Sequence, residues 1–466
     1  MRYLLLASTI FLMYSCENSS KDVSTYFGGE IVNPNSPYVV LYKNDEVVDS
    51  VMLDDNNRFL IELETIDEGL YHFEHVPEMQ YVFIEKGDSI LFRLNTLDFD
   101  ESLIFSGKGA EKNNFMIDMF LVNEDEEKLV YDFYDLEAED FVRKMDSLKQ
   151  MKIELYDNLV LNFDLSENAK NIAKAGIDYP HYDAKEIYPY IHKNKLHHDE
   201  VESLPEHFYA YRNTLNYNDE RLSYFGPYVN YLNMYFNNLS YATCMDLCAD
   251  DKPEANATLH FYLHKLKLIN GNIKVKEIRD NLFRNTAFSY LRKDHDASNN
   301  EKFIALYEQF SPDNKYGEEI NYVFSAIKKL QRGNPIPNVQ LVKASGQITN
   351  TETLVKGATV YYFWSLNQKN HMANINKKVK KLEQKYPEYT FVGININEDH
   401  DTWVNILERM GLDTAKQFRS KSFEEIREKL VIEGLNKVII VNPDGTIVNA
   451  FGNINEADFM DNVKSL

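Results

Sequence analysis

The chain has 466 residues, 44% hydrophobic, 13% aromatic and 26% charged, with 18 Gly and 13 Pro; this length exceeds one compact core, and the composition excludes collagen-like, low-complexity and largely disordered classes. Lys and Arg number 50 against 73 Asp and Glu, a net charge of −23 that repels phosphate backbones and excludes nucleic acid as an expected partner. Three cysteines, Cys16, Cys244 and Cys248, are too few for a disulfide-stapled scaffold or a four-thiolate zinc site.

Arg2 precedes an apolar run from Tyr3 to Met13. A spanning helix needs about 20 residues, so this run has the length of a signal-peptide core, and 1–15 is predicted to be a signal peptide. Leu12-Met13-Tyr14-Ser15-Cys16 resembles the bacterial lipobox, in which a small residue precedes a cysteine that is diacylated and becomes the new N-terminus; Met13 and Tyr14 depart from that pattern. The resemblance implies lipidation of Cys16, with 16–23 as a polar tether; the alternative is an ordinary signal peptide with an incidental cysteine. The expected protein is exported and held by its acyl chains alone at the outer or inner membrane, facing the periplasm or the cell surface. That compartment is oxidising.

From 24 to 106, short β-rich runs alternate with turn signals such as Asn44-Asp45, Asp54-Asp55-Asn56-Asn57 and Gly87-Asp88. Phe59, Ile61 and Leu63 alternate with Arg58, Leu60 and Glu62, the period of a half-buried strand, and predict an antiparallel β-sandwich-like domain. Over 107–332 the period changes: Phe141, Met145, Leu148, Met151, Leu155 and Leu159 recur at helical steps, as do Val229, Leu232, Phe236 and Leu239. The ring-rich stretch Tyr224 to Phe236 is expected to fill helix–helix contacts, with a peptide- or glycan-binding groove as the alternative. The acidic run Glu124–Glu127 lacks the ligand spacing of a calcium loop and reads as a solvated face.

Gly333-Asn334-Pro335-Ile336-Pro337-Asn338 breaks the helical pattern and opens a third region, 333–466. Its continuous apolar run Thr359 to Phe363 reads as a buried strand. A helical pattern at about 370–386, a strand at 390–396, a helix at about 401–410 and the hairpin around Pro443-Asp444-Gly445 follow, an α/β order.

The strand ending Tyr362-Phe363-Trp364, the stretch Phe391 to Asn397 and the hairpin Val438 to Gly445 make this region resemble the thioredoxin-like domain of TlpA-like extracytoplasmic thiol-disulfide oxidoreductases. In that family Cys-x-x-Cys opens the helix after the strand, where unpaired N–H groups and the helix dipole stabilise a thiolate. Here Gln368 stands at the attacking position and His371 at the resolving one, and Asn436 replaces the family's cis-proline. The resemblance therefore implies the fold without its dithiol reaction, and a trans peptide before Asn436, because a non-proline cis bond costs about 2.5–4 kcal/mol.

Cys244-x3-Cys248 and His260-x3-His264 each fall on one face if helical, and together they could form a tetrahedral zinc set. A Cys244–Cys248 disulfide and a pair of free thiols are the alternatives; apart from this zinc candidate no cofactor is expected. The whole reads as a multidomain α+β protein with a β-sandwich-like domain, a helical middle and a thioredoxin-like α/β domain. The expected function is an envelope lipoprotein that binds a protein or peptide partner or serves as a scaffold; the alternative is a periplasmic thiol-disulfide oxidoreductase acting through Cys244 and Cys248. Against the latter, Asp246, Asp250 and Asp251 would raise a nearby thiol pKa.

Cys16→Ser is expected to move the protein out of membrane fractions, and mass spectrometry of the wild type to recover an acylated Cys16 peptide. An unmodified Cys16 in the membrane fraction sinks the anchor.

Overall fold

Along Arg58–Leu63 side chains alternate between exposed and buried without a break, the pattern of a strand with one wet face. The structure, a computed structural model, describes residues 24–197, 204–247, 257–366, 369–396, 399–456 and 459–460. The chain divides into two units, Met1–Tyr235 and Phe236–Leu466.

The first unit opens with β1 (Thr25–Val32), β2 (Tyr38–Lys43), β3 (Glu46–Met52), β4 (Arg58–Leu63), β5 (Gly69–His75), β6 (Glu78–Ile84) and β7 (Ser89–Asn95). A short helix α1 (Phe99–Ser102) and β8 (Ile104–Lys108) complete the β region. These strands form two four-stranded sheets in the orders β4-β1-β7-β8 and β3-β2-β5-β6. The pairings are antiparallel except β1 with β7, which run parallel with Phe27 opposite Ile90, because β7 returns to the first sheet only after the second has been traversed. Phe27, Phe73 and Phe92 meet in the core, Phe73 and Phe92 stacked with centroids 4.7 Å apart.

Helix α2 (Ala110–Phe133) is fastened to these sheets by its first turn. Gly109 precedes it at φ 91°, where a Cβ would lie 2.6 Å from the Asp88 carboxylate. Asn113 accepts from Phe83 N (2.6 Å) and donates to Phe83 O (3.0 Å); Asn114 does the same with Phe105, at 2.8 and 2.9 Å. Lys112, buried, reaches Glu85 and Asp88 at 2.6 Å each. Helices α3 (Ala138–Asn162) and α4 (Glu167–Lys195) pack on α2, and Ser166 caps α4 by accepting from Ala169 N at 2.9 Å. Helix α5 (Gly226–Leu247) follows, and Tyr228, Tyr231 and Phe236 on it are fully buried, so this stretch supplies core rings.

In the second unit α6 (Ala257–Asn272), α7 (Lys276–Leu291), α8 (Ala297–Phe310) and α9 (Gly317–Lys329) precede the last region. There β9 (Gln340–Val342), β10 (Ile348–Asn350), β11 (Thr359–Trp364), α10 (Lys369–Lys385), β12 (Thr390–Asn395), α11 (His400–Met410), β13 (Gln417–Ser420), α12 (Phe423–Lys429), β14 (Lys437–Val441) and β15 (Ile447–Asn453) build one sheet in the order β10-β9-β13-β12-β11-β14-β15. Strands β11, β12 and β13 are parallel, and β14 and β15 antiparallel. One face packs on α12 and the end of α9 through Leu330, Ile426 and Leu430, the other on α10 and α11 through Ile375, Trp403 and Leu407. Strand β13 and helix α12 lie where the sequence pattern predicts neither. Each is too short, four and seven residues, to show a period.

Lys112→Met strands the buried Asp88 carboxylate and is expected to destabilise the protein by about 3–5 kcal/mol in denaturant unfolding. Adding Asp88→Asn and Glu85→Gln should recover most of the loss. A Lys112→Met variant as stable as the wild type would show the buried cluster to be idle.

Candidate functional site

All six side chains of β11 are buried, so its end at Trp364 is rigid. Trp364 Nε1 donates to Gln417 Oε1 (3.1 Å) and Gln417 Nε2 donates to the Tyr362 hydroxyl (2.7 Å), a polar bridge inside the core. Gly393 on β12 makes room for it, since a Cβ there would lie 2.3 Å from Gln417 Oε1 and 2.7 Å from Tyr362 Cζ.

Helix α10 begins beyond Trp364 and carries His371 in its first turn. Both imidazole nitrogens of His371 are out of solvent, and its polar neighbours are the Asn436 side chain and the Leu435 backbone. These lie close enough to draw the pKa upward yet short of good hydrogen-bond geometry. Burial outweighs them and holds the pKa below the ordinary histidine value, so the ring is neutral at pH 7. The fold thus brings together two positions 65 residues apart that the family resemblance matched to its resolving cysteine and its proline. Among the described residues the cis peptide is Val76–Pro77, and Leu435–Asn436 is trans. Gln368 lies outside the described residues. His400 opens α11, whose N-cap Asp399 accepts from Thr402 N at 3.0 Å, and its ring lies 5.8 Å from that of Trp403.

The loop before β14 adds residues that sequence reasoning missed. Val431 holds φ 49°, an uncommon conformation for a β-branched residue, and its carbonyl accepts from Lys437 Nζ at 3.0 Å. Burial pushes the Lys437 ammonium down to about 7, against the pull of Glu433, and Nζ sits 4.5 Å from the Phe451 ring centroid. On that same ring stacks His295, 3.8 Å away and nearly parallel, its pKa lowered to about 4 by burial and then by Lys437. Arg292 Nε lies 3.5 Å from Glu433, so the α7–α8 connection is held against the loop that leads to Asn436. No local motif marks these residues, because His295 and Phe451 are far apart in the chain and meet only on folding.

Cys16 and Cys248 lie outside the described residues. Cys244 falls on α5 with its side chain outside them, and His260 and His264 are one turn apart on α6, each half-buried and engaged by neighbours. Among the described residues no group of three or more His, Cys, Asp or Glu is placed to hold a metal ion; the four-residue zinc candidate extends beyond those residues.

Residues 358–447 match a family model described as thioredoxin-like. No curated protein matches the chain. Among solved structures, the thioredoxin domain of a thiol-disulfide oxidoreductase from Bacteroides vulgatus is 16% identical, over 29% of this chain and 96% of that one, with a TM-score of 0.24. A thiol:disulfide interchange protein from a Bacteroides species is 17% identical over 29% and 90%, with a TM-score of 0.24. A domain described as a possible thiol-disulfide isomerase from Cytophaga hutchinsonii is 15% identical over 29% and 95%, with a TM-score of 0.26. The C-terminal region is thioredoxin-like, and residues 358–447 contain no cysteine.

Gln417→Leu leaves Trp364 Nε1 and the Tyr362 hydroxyl unpaired in the core. A loss of roughly 2–6 kcal/mol is expected, from about 1–3 kcal/mol for each of the two stranded groups. Denaturation followed by tryptophan fluorescence measures it, since both tryptophans, Trp364 and Trp403, lie in this region.

Proposed function

We propose that the thioredoxin-like domain is a binding module that holds a protein or peptide partner without exchanging disulfides. The observation that supports this most directly is a neutral, half-buried His371 lying beside Asn436 in a domain that has no cysteine between 358 and 447. Disulfide exchange starts from a thiolate attacking a disulfide sulfur, and neither an amide nor an imidazole supplies one. What the residues of this edge offer is recognition. His371 can donate or accept, the Asn436 amide does both, and the backbone around Leu435 and Asn436 is free of a proline ring.

Arg292 and Glu433 present charges at the loop that leads to Asn436, which a partner seated there could meet. In this reading Cys16 is lipidated and the protein works at the cell envelope, reaching partners there while its acyl chains hold it to the membrane.

The expected result of an insulin-reduction assay is a rate equal to buffer, unchanged in Cys244→Ser. Capture from detergent-solubilised envelope should recover a partner with the wild type and lose it both on deletion of 333–466 and in the double variant His371→Ala, Asn436→Ala. Turnover that disappears in Cys244→Ser would establish the oxidoreductase instead, and a partner retained by the double variant would move recognition elsewhere.

A further inference from the structure

A cavity of about 640 Å³ lies among α2, α3 and α4 in the first unit, within the usual range for a small-molecule site. Its origin is local. Pro180 sits inside α4, where a proline cannot donate to the carbonyl four residues back, and the freed Gly176 carbonyl accepts from Asn123 Nδ2 at 3.3 Å. One turn after Pro180 comes the small Ala184, so the helix presents little bulk here. The walls are mostly apolar, with Met145, Leu148, Ile177 and Ile187 beside the rings of Tyr131 and Tyr134.

The polar groups of the lining are unequally supplied. Lys149 is committed to Asp178 at 2.6 Å, and Lys152 to Glu126 and to Asn123 Oδ1, each at 2.6 Å. Asp183 is different: its Oδ1 is buried in the lining with no hydrogen-bond donor. His181 is a second case. Burial first, then Lys149, Lys185 and Lys152, lowers its pKa to about 3, so the ring is neutral. Its N–H faces acceptors on α3, the Met145 carbonyl and the Asp146 carboxylate 3.4 Å from Nε2; with the proton assigned to Nε2, Nδ1 is another buried acceptor without a donor. A cavity whose unmatched groups are acceptors asks for a donor. A buried carboxylate further asks for a positive one, because an unpaired charge in an apolar site is costly.

We propose that this cavity binds a small primary amine with an apolar body, its ammonium paired to Asp183 and its hydrocarbon against the apolar walls. An ammonium brings three donors and one positive charge, which meets both needs at once. The chain's overall negative charge favours a cationic over an anionic guest.

The site also carries its own pH dependence. Burial, and secondly Glu186, raise the Asp183 carboxyl to about 7. The other titratable or charged groups around it are Glu126, Glu127, Lys128, Tyr131 and Tyr134 on α2, Asp146, Lys149 and Lys152 on α3, and Asp178, His181, Lys185 and Glu186 on α4. Of these Glu186 is bound by Arg212 and accepts from the Tyr211 hydroxyl at 2.8 Å. Ammonium binding needs ionised Asp183, so affinity should rise about tenfold per unit as pH climbs toward 7 and level off above it.

The test is calorimetric titration of the full chain carrying Cys16→Ser, with octylammonium, octanol and octanoate as probes at pH 6, 7 and 8. Octylammonium should bind one to one, at least tenfold more tightly than the other two, with the rise in affinity just described. Asp183→Asn should weaken it at least tenfold at pH 8 and flatten the pH profile while leaving the melting temperature equal or higher. As a second variant, Ile187→Phe narrows the cavity and should weaken binding without altering the pH profile. Octanoate or octanol binding as well as octylammonium, an affinity that does not change with pH, or unchanged binding by Asp183→Asn would each overturn the proposal, as would the absence of saturable binding by the wild type.

Discussion

A strand buried on both faces leaves its surroundings few choices, and β11 is such a strand from Thr359 to Trp364. Both faces need apolar cover, so α10 and α11 pack on one side and α12 with the end of α9 on the other. The polar atoms carried into that core must find partners there. The Trp364 indole and the Tyr362 hydroxyl share the Gln417 amide, and only a glycine at 393 leaves room for that amide. Where α10 starts, and so where His371 sits, follows from these packing demands.

Cysteine takes no part in that set of constraints. The sheet order, the two cores and the Trp364–Gln417–Tyr362 bridge involve no thiol, so a thioredoxin-like domain can lose its reactive pair and keep its framework. The edge where such a reaction would start is then open to other use. In this chain a neutral imidazole and an amide meet there, and Lys437 and Arg292 contact the loop that leads to Asn436.

The first unit handles buried charge in two opposite ways. At the start of α2, Lys112 is matched to Glu85 and Asp88, and the two asparagines after it satisfy backbone groups of one strand in each sheet. Every group has a partner, and the result ties the helices to the β region. Further along the same bundle, Asp183 is buried with an oxygen that nothing supplies. The first arrangement is structural and complete; the second leaves a buried oxygen unsupplied on a residue that lines a cavity.

Residue order alone carried the larger features of this protein: the period-two strand at Arg58–Leu63, the helical period from Phe141 to Leu159 and the break at Gly333–Asn338. These are legible because each is local, a repeat or a motif within a few turns of chain. The parallel pairing of β1 with β7, the short β13 and α12, the approach of His371 to Asn436, the stacking of His295 on Phe451 and the unmatched Asp183 were not. Each depends on which distant segments share a neighbourhood and on how far water is excluded from it. A side chain's burial and the partners it finds there are properties of the packed chain, so tertiary structure alone decided them.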